Sequence, residues 1–290
     1  MRNKPLTKEE LEAEWDKLPK DWCSIYKWHL EGEAKPQDRT SKHRYAKWIA
    51  PWIVDSFDKI QLETKGVREE DFNTEDHRGQ IDEEQINEYE NKEDIKAGKA
   101  AFPFNEERFS RALYNSGNNR VLGKMLGYEV PFQASGAANA DKHADIDLLC
   151  QTSDAILCVE TKNARDNHAI LKAILQAYVD ASFAAMRHDQ FVNDFGLLSG
   201  LPFTPAILIG KRAESQFKEL TGKTQLRDLV SKLNERLEGL GAGKFRYFLV
   251  RNTDSELEDC LRIQLRVNRD HRVVFKTGFT PCIEEWRITR

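Results

Sequence analysis

Two apolar runs, Ala144–Cys150 and Ala155–Lys162, are separated by the polar residues Gln151-Thr152-Ser153-Asp154, and this pairing constrains the chain more than any other feature. Runs of this length, bounded by turn formers, read as two β-strands joined by a hairpin. With Ser153 and Asp154 as the central turn residues, antiparallel register sets Thr152 opposite Ala155, Asp147 opposite Glu160 and Asp145 opposite Lys162. Residues two apart share a face of a strand, and directly opposed residues share it too. The pattern therefore gathers Asp145, Asp147, Glu160 and Lys162 on one face, at one end of an otherwise apolar hairpin. Such a placement is costly, because close carboxylates repel and an unpaired buried charge is unfavourable. A divalent cation between Asp147 and Glu160 reverses the sign of that cost. Hard oxygen ligands suit Mg2+ or Mn2+, which keep water molecules available for chemistry.

From residue 100 onward, helices and strands alternate. Asn105 caps an expected helix carrying Phe109, Leu113, Val121, Leu122 and Met125, with a break at Ser116-Gly117. Strands are expected at 128–132, 144–150, 155–162, 205–211, 245–250, 260–267 and 272–276, and helices at 168–187 and 224–239. The sum is an α/β domain over 100–290, with a mixed central β-sheet flanked by helices. Residues 1–62 form an N-terminal helical region rich in tryptophan: five of the six tryptophans fall there, with Thr7 and Glu10 as a capping box. Its stretch Lys42-His43-Arg44-Tyr45-Ala46-Lys47-Trp48 interleaves basic and aromatic residues, which fits either backbone contact and base stacking on nucleic acid or a charged helix face.

Charge is spread unevenly. The chain carries a formal net charge of -4, yet residues 63–94 hold thirteen acidic and four basic residues, a net of −9 that leaves +5 on the rest. The segment 63–99 reads as an acidic connector. No apolar run of about 18 residues is present to span a membrane, and the N-terminus lacks the apolar core of a secretory signal. The five cysteines form no C-x-x-C pair, which argues against a disulfide framework or a zinc ribbon. Each is expected to be a small buried hydrophobe, and a reducing cytoplasm fits best.

Asp147, twelve intervening residues, then Glu160-Thr161-Lys162 at the end of an apolar strand resembles the PD-(D/E)xK nuclease superfamily, the restriction-endonuclease-like fold. The resemblance covers about residues 100–211. It implies that Asp147, Glu160 and the main-chain carbonyl of Thr161 ligate Mg2+ or Mn2+, and that Lys162 orients or deprotonates the attacking water. The implied activity is metal-dependent hydrolysis of phosphodiester bonds in DNA, with nucleic acid as the partner and the assembly, monomer or homodimer, left open. A catalytically silent nuclease-fold protein that binds nucleic acid or a protein partner is the alternative, and a chance cluster of acids on a plain α/β domain is a third.

Many members of that family carry a glutamate on the helix before the sheet. Glu107 is the candidate, with Glu106 beside it, although acids at a helix start are favoured by the macrodipole alone. On the helix after Lys162, His168, Lys172, Gln176 and Asp180 lie four apart and form a polar stripe, read either as solvated or as lining the active site. Gln176 is the catalytic candidate there. Some members have a tyrosine four residues after such a glutamine, whereas here that position is Asp180 and the tyrosine is Tyr178. Lys211 and Arg212 fit either a phosphate contact or a charged strand end. Thr221-Gly222-Lys223-Thr224 is no phosphate loop, because Phe217 occupies the position of its first glycine.

Overall fold

A computed structural model describes residues 9, 13, 50–55, 57–60, 106–131, 145–163, 170–214, 222, 224–253, 255–257 and 280–286. The basic–aromatic stretch 42–48, the acidic connector 63–99 and the strands expected at 260–267 and 272–276 lie outside the described residues, as do His143 and His168.

In chain order the elements are α1 (Ala50–Asp55), α2 (Glu106–Asn115), β1 (Lys124–Pro131), β2 (Asp145–Gln151), β3 (Ile156–Lys162), α3 (Ile170–Met186), α4 (His188–Phe195), β4 (Phe203–Ile209), α5 (Thr224–Gly239), β5 (Arg246–Val250) and β6 (Ile283–Trp286). The six strands make one sheet in the order β1-β2-β3-β4-β5-β6. Pairing is antiparallel from β1 to β3, parallel from β3 to β5, and antiparallel again at β6. The protein is thus α/β, with a six-stranded mixed sheet flanked by helices.

Each face of the sheet has its own apolar cluster. On one face α3 packs over Ile156, Cys158, Ile207 and Ile209, and Leu226, Leu229, Leu233 and Leu237 of α5 join the same cluster. On the other, Phe109, Ala112 and Leu113 of α2 meet Leu148, Leu157, Val159, Leu208 and Phe248. β3 and β4 are covered on both faces and paired on both edges, and every one of their residues is buried. That double covering accounts for the continuous apolar sequence of these two strands.

The end of the tryptophan-rich region belongs to the same interior. Ile53, Phe57 and Ile60 join the α3–α5 cluster. Lys232 of α5 donates to the Val54 carbonyl at 2.8 Å, and Arg236 donates to the carbonyls of Phe57 and Ile60 while lying 5.0 Å from the centre of the Phe57 ring. The Phe57 carbonyl also accepts the Ile60 amide at 3.1 Å, and the bonds from α5 satisfy the Val54 and Ile60 carbonyls at the ends of these short helical turns.

Several expectations need correction. The helix capped near Asn105 stops at Asn115 and does not carry Val121, Leu122 or Met125. Gly117 and Gly123 both have positive φ, and Met125 already belongs to β1. A Cβ at Gly123 would overlap the backbone carbonyl of Gln151, so only glycine lets this turn close against the hairpin. α4 and β6 were not anticipated at all. Cys150 and Cys158 are buried as expected, but Cys282 is exposed.

Candidate active site

The hairpin register is the one the sequence dictates. Leu148 faces Val159, Leu149 faces Cys158, Cys150 faces Leu157, and the Thr152 amide donates to the Ala155 carbonyl at 2.9 Å. Ladder pairing between β2 and β3 ends at Leu148–Val159. In an antiparallel ladder hydrogen-bonded and non-bonded pairs alternate, so the next bonded pair in this register would be Ile146 with Thr161. Instead, the Thr161 amide donates to Asp147 Oδ2 at 2.7 Å, and the Thr161 hydroxyl donates to the same oxygen at 2.9 Å. A side-chain carboxylate has taken the place of a backbone carbonyl. The break also shows in the core: Leu148 belongs to the α2 side, whereas Ile146, two residues earlier, packs on the α3 side.

This opening decides what Thr161 presents. The Lys162 carbonyl accepts the Gly210 amide at 2.8 Å, so Lys162 turns its backbone polar groups towards β4. Thr161, one residue back, turns its amide and carbonyl the other way, towards β2 and Asp147. The Asp147 carboxylate and the Thr161 carbonyl therefore lie on the same edge of β3, where the ladder has parted.

Glu160 and Lys162 share the α3 face of β3 and form an ion pair in which Lys162 Nζ donates to Glu160 Oε1. Glu160 is 1% exposed and Lys162 2%. Desolvating two charges costs several kcal/mol per ion, and apolar residues of similar volume commonly fill such a position with no loss of stability. A buried pair at the end of an apolar strand is thus poorly explained by stability alone. Asn163 follows, fully buried, with its side chain packed so closely on Gly210 that a Cβ there would overlap its amide oxygen. Lys211, exposed, begins the turn after β4 at the same end of the sheet. Ligands of open α/β sheets bind at the carboxyl ends of parallel strands, and this is such an end.

The polar stripe of α3 is not solvated. Asp180 is 2% exposed, Lys172 is buried as well, and Gln176 is half-buried. α3 runs from β3 to the parallel strand β4, so it is antiparallel to both. α3 packs on β3, and the charge of Asp180 acts on the Cys158 thiol. The Gln176 side-chain carbonyl is buried without a hydrogen-bond partner among the described residues.

The neighbouring thiols are not nucleophiles. Burial pushes Cys158 well above the usual thiol range, and the charges of Asp180 and Cys150 push it further. Burial alone raises Cys150 to about 12. Both stay protonated at neutral pH.

Of the sequence candidates, Asp147, Thr161, Glu160 and Lys162 come together at the carboxyl end of β3, while Gln176 lies on α3, which packs on that strand. Glu106 and Glu107 occupy the first turn of α2, but their side chains, like those of Asp145 and Arg212, lie outside the described residues. Asp145, Asp147, Glu160 and Lys162 were expected on one face. Asp147 instead binds in the plane of the sheet, while Glu160 and Lys162 point to the α3 face. Sequence reasoning also missed the Thr161 hydroxyl and Ser110, a buried serine of α2 whose hydroxyl lies 2.8 Å from that of Thr161. The available signal was a lone hydroxyl among Phe109, Ala112 and Leu113 on the helix's apolar face.

Among the described residues no three His, Cys, Asp or Glu side chains gather as a metal-binding group, and the donor set offered is two carboxylates and one carbonyl. These are hard oxygen donors, which fit Mg2+ or Mn2+ with water filling the remaining positions. No family model, curated protein or solved structure matches the chain.

Proposed function

We propose that this protein is a metal-dependent nuclease of restriction-endonuclease-like fold, hydrolysing phosphodiester bonds of DNA at the carboxyl end of β3. The observation that carries the reading is the parted ladder: the Asp147 carboxylate stands where a backbone carbonyl belongs, on the strand edge shared with the Thr161 carbonyl and one residue from the buried Glu160–Lys162 pair. Asp147, Glu160 and the Thr161 carbonyl would hold Mg2+ or Mn2+. When bound, such an ion lowers the pKa of water and offsets charge on the phosphate.

Lys162 has two roles in this reading. Its ammonium holds Glu160 in place before substrate arrives, and it then lies beside the reacting phosphate, where it offsets the added negative charge of the transition state. Gln176 of α3, whose side-chain carbonyl is buried without a hydrogen-bond partner among the described residues, would orient the attacking water in this reading. Lys172 and Lys211 bring cationic charge to the same end, which suits a polyanionic backbone.

The test is cleavage of plasmid and linear DNA by the full chain in Mg2+ or Mn2+, beside Glu160→Ala and Lys162→Ala. Strand breaks by the wild type that disappear on chelation and in both variants are expected. Cleavage that persists in both variants, or without metal, rules out this site. DNA binding without any cleavage favours the silent nuclease-fold alternative, for which the ion pair between Lys162 and Glu160 is the supporting observation.

A further inference from the structure

We propose that Ser110 and Thr161 are positioning residues that hold the Asp147 carboxylate for metal binding, an inference that rests on the nuclease reading above. Asp147 has left the ladder, so nothing in the strand pairing fixes its side chain. Two bonds replace that constraint, from the Thr161 amide and the Thr161 hydroxyl, both to Oδ2. Two donors from one residue on one oxygen restrict rotation of the carboxylate about both of its side-chain bonds.

Counting protons extends the chain one step further. A hydroxyl has a single proton, and a carboxylate only accepts, so the Thr161 proton goes to Asp147. In the 2.8 Å contact between Ser110 Oγ and Thr161 Oγ1, Thr161 must therefore be the acceptor and Ser110 the donor. The direction is Ser110 to Thr161 to Asp147, from α2 across the sheet to its parted edge. Ser110 and Thr161 are both buried, and their neighbours Phe109, Ala112 and Leu113 are fully buried and apolar. A hydroxyl is costly in such a place unless it is bonded, and an alanine or valine would pack there without that cost. Because Thr161 donates through its side chain and presents its carbonyl on the same edge, one residue both orients a metal-binding carboxylate and offers a donor of its own. Partners that orient a ligand side chain in this way commonly account for 10–100-fold in metal affinity.

The experiment is calorimetric titration of Mn2+ into the full chain without DNA, for wild type, Thr161→Val, Thr161→Ser, Ser110→Ala and Asp147→Ala, with thermal melting of each. Thr161→Val keeps the shape and the main-chain carbonyl. It should weaken Mn2+ binding about 10–100-fold, with Thr161→Ser close to wild type and Ser110→Ala in between. Saturating Mn2+ should restore most of the cleavage rate of Thr161→Val. A lower melting temperature with unchanged Mn2+ affinity in both Thr161→Val and Ser110→Ala would mean a structural role only and would overturn the proposal. Should Thr161→Val fail to fold, the Ser110→Ala affinity decides. If Asp147→Ala binds Mn2+ as tightly as wild type, or the wild type binds none, the nuclease reading falls and the positioning proposal falls with it. Loss of binding in Asp147→Ala alone overturns the positioning proposal and leaves the nuclease reading standing.

Discussion

The two ends of the β2–β3 hairpin obey one register and do opposite things with it. At the turn end the ladder runs to its last residue, and Thr152 closes it. The Thr152 hydroxyl donates to Asp154 Oδ1 at 2.6 Å and accepts the Ala155 amide at 3.0 Å, while its own amide bonds the Ala155 carbonyl. Arg246 reaches Asp154 from β5 at 3.3 Å and pairs with Glu285 at 2.8 Å. These bonds lie near solvent. At the other end a carboxylate displaces a backbone acceptor, and a lysine and a glutamate are buried to pair with each other. Both ends use a threonine hydroxyl and an aspartate, but only the second puts ionised groups where burial is expensive. The turn is held by exposed bonds, whereas the other end keeps an ion pair inside.

This contrast can be broken by substitution, beginning where the effect should be largest. Lys162→Met leaves Glu160 buried without its cation and should destabilise the fold by about 3–5 kcal/mol. For a domain of this size that corresponds to a fall of roughly 6–20 °C in Tm. The double variant with Glu160→Met should recover most of the stability while cleavage stays absent. Equal stability of Lys162→Met and wild type would show that the pair is not buried as described. At the turn end, Gly123→Ala combines a left-handed backbone with a clash against the Gln151 carbonyl. It should cost about 2–5 kcal/mol in thermal or denaturant unfolding and leave Mn2+ affinity alone.

Smaller effects sharpen the comparison. Thr152→Val removes one hydroxyl near the surface, costs about 1 kcal/mol, and should leave the cleavage rate at saturating Mn2+ within twofold of wild type, roughly. Asp154 is held below its usual carboxylate range, chiefly by the Thr152 hydroxyl and then by the charge of Arg246. A group whose folded-state pKa is lowered stabilises the fold above its unfolded value, and that contribution is lost as pH falls through the folded one. The melting-temperature difference between wild type and Asp154→Asn should therefore be present at neutral pH and close as pH drops below the ordinary value of 3.8. A gap that persists there would mean that charge is not the cause.

How far the sequence carries this account differs by element. The hairpin register followed from strand alternation and a short turn, because a one-residue slip would have turned every apolar side chain to the wrong face. The α3 boundaries followed from Ile170, Leu171, Ile174 and Leu175, all of them buried. The departure of Asp147 from the ladder was not legible, because alternation predicts where a side chain points only while pairing continues. The stripe at Lys172, Gln176 and Asp180 fitted either a solvated face or a site lining, and the sequence could not show that Lys172 and Asp180 are buried, because α3 is covered on nearly all sides by its tertiary neighbours. β6 is four residues long with Glu284 and Glu285 exposed, too short and too polar for a period-two signal. Among the described residues no helix is long and apolar enough to cross a membrane, as the hydropathy pattern anticipated.

The central claim is that the parted end of the hairpin is a cation site assembled from Asp147, Glu160 and the Thr161 carbonyl. Crystals of the full chain soaked in Mn2+, measured for anomalous scattering at the manganese edge, test it most directly. The account predicts one strong peak within coordinating distance of those three groups, absent in Asp147→Ala crystals. A strong peak elsewhere, or none at this end of β3 when the protein binds Mn2+ in solution, would contradict it.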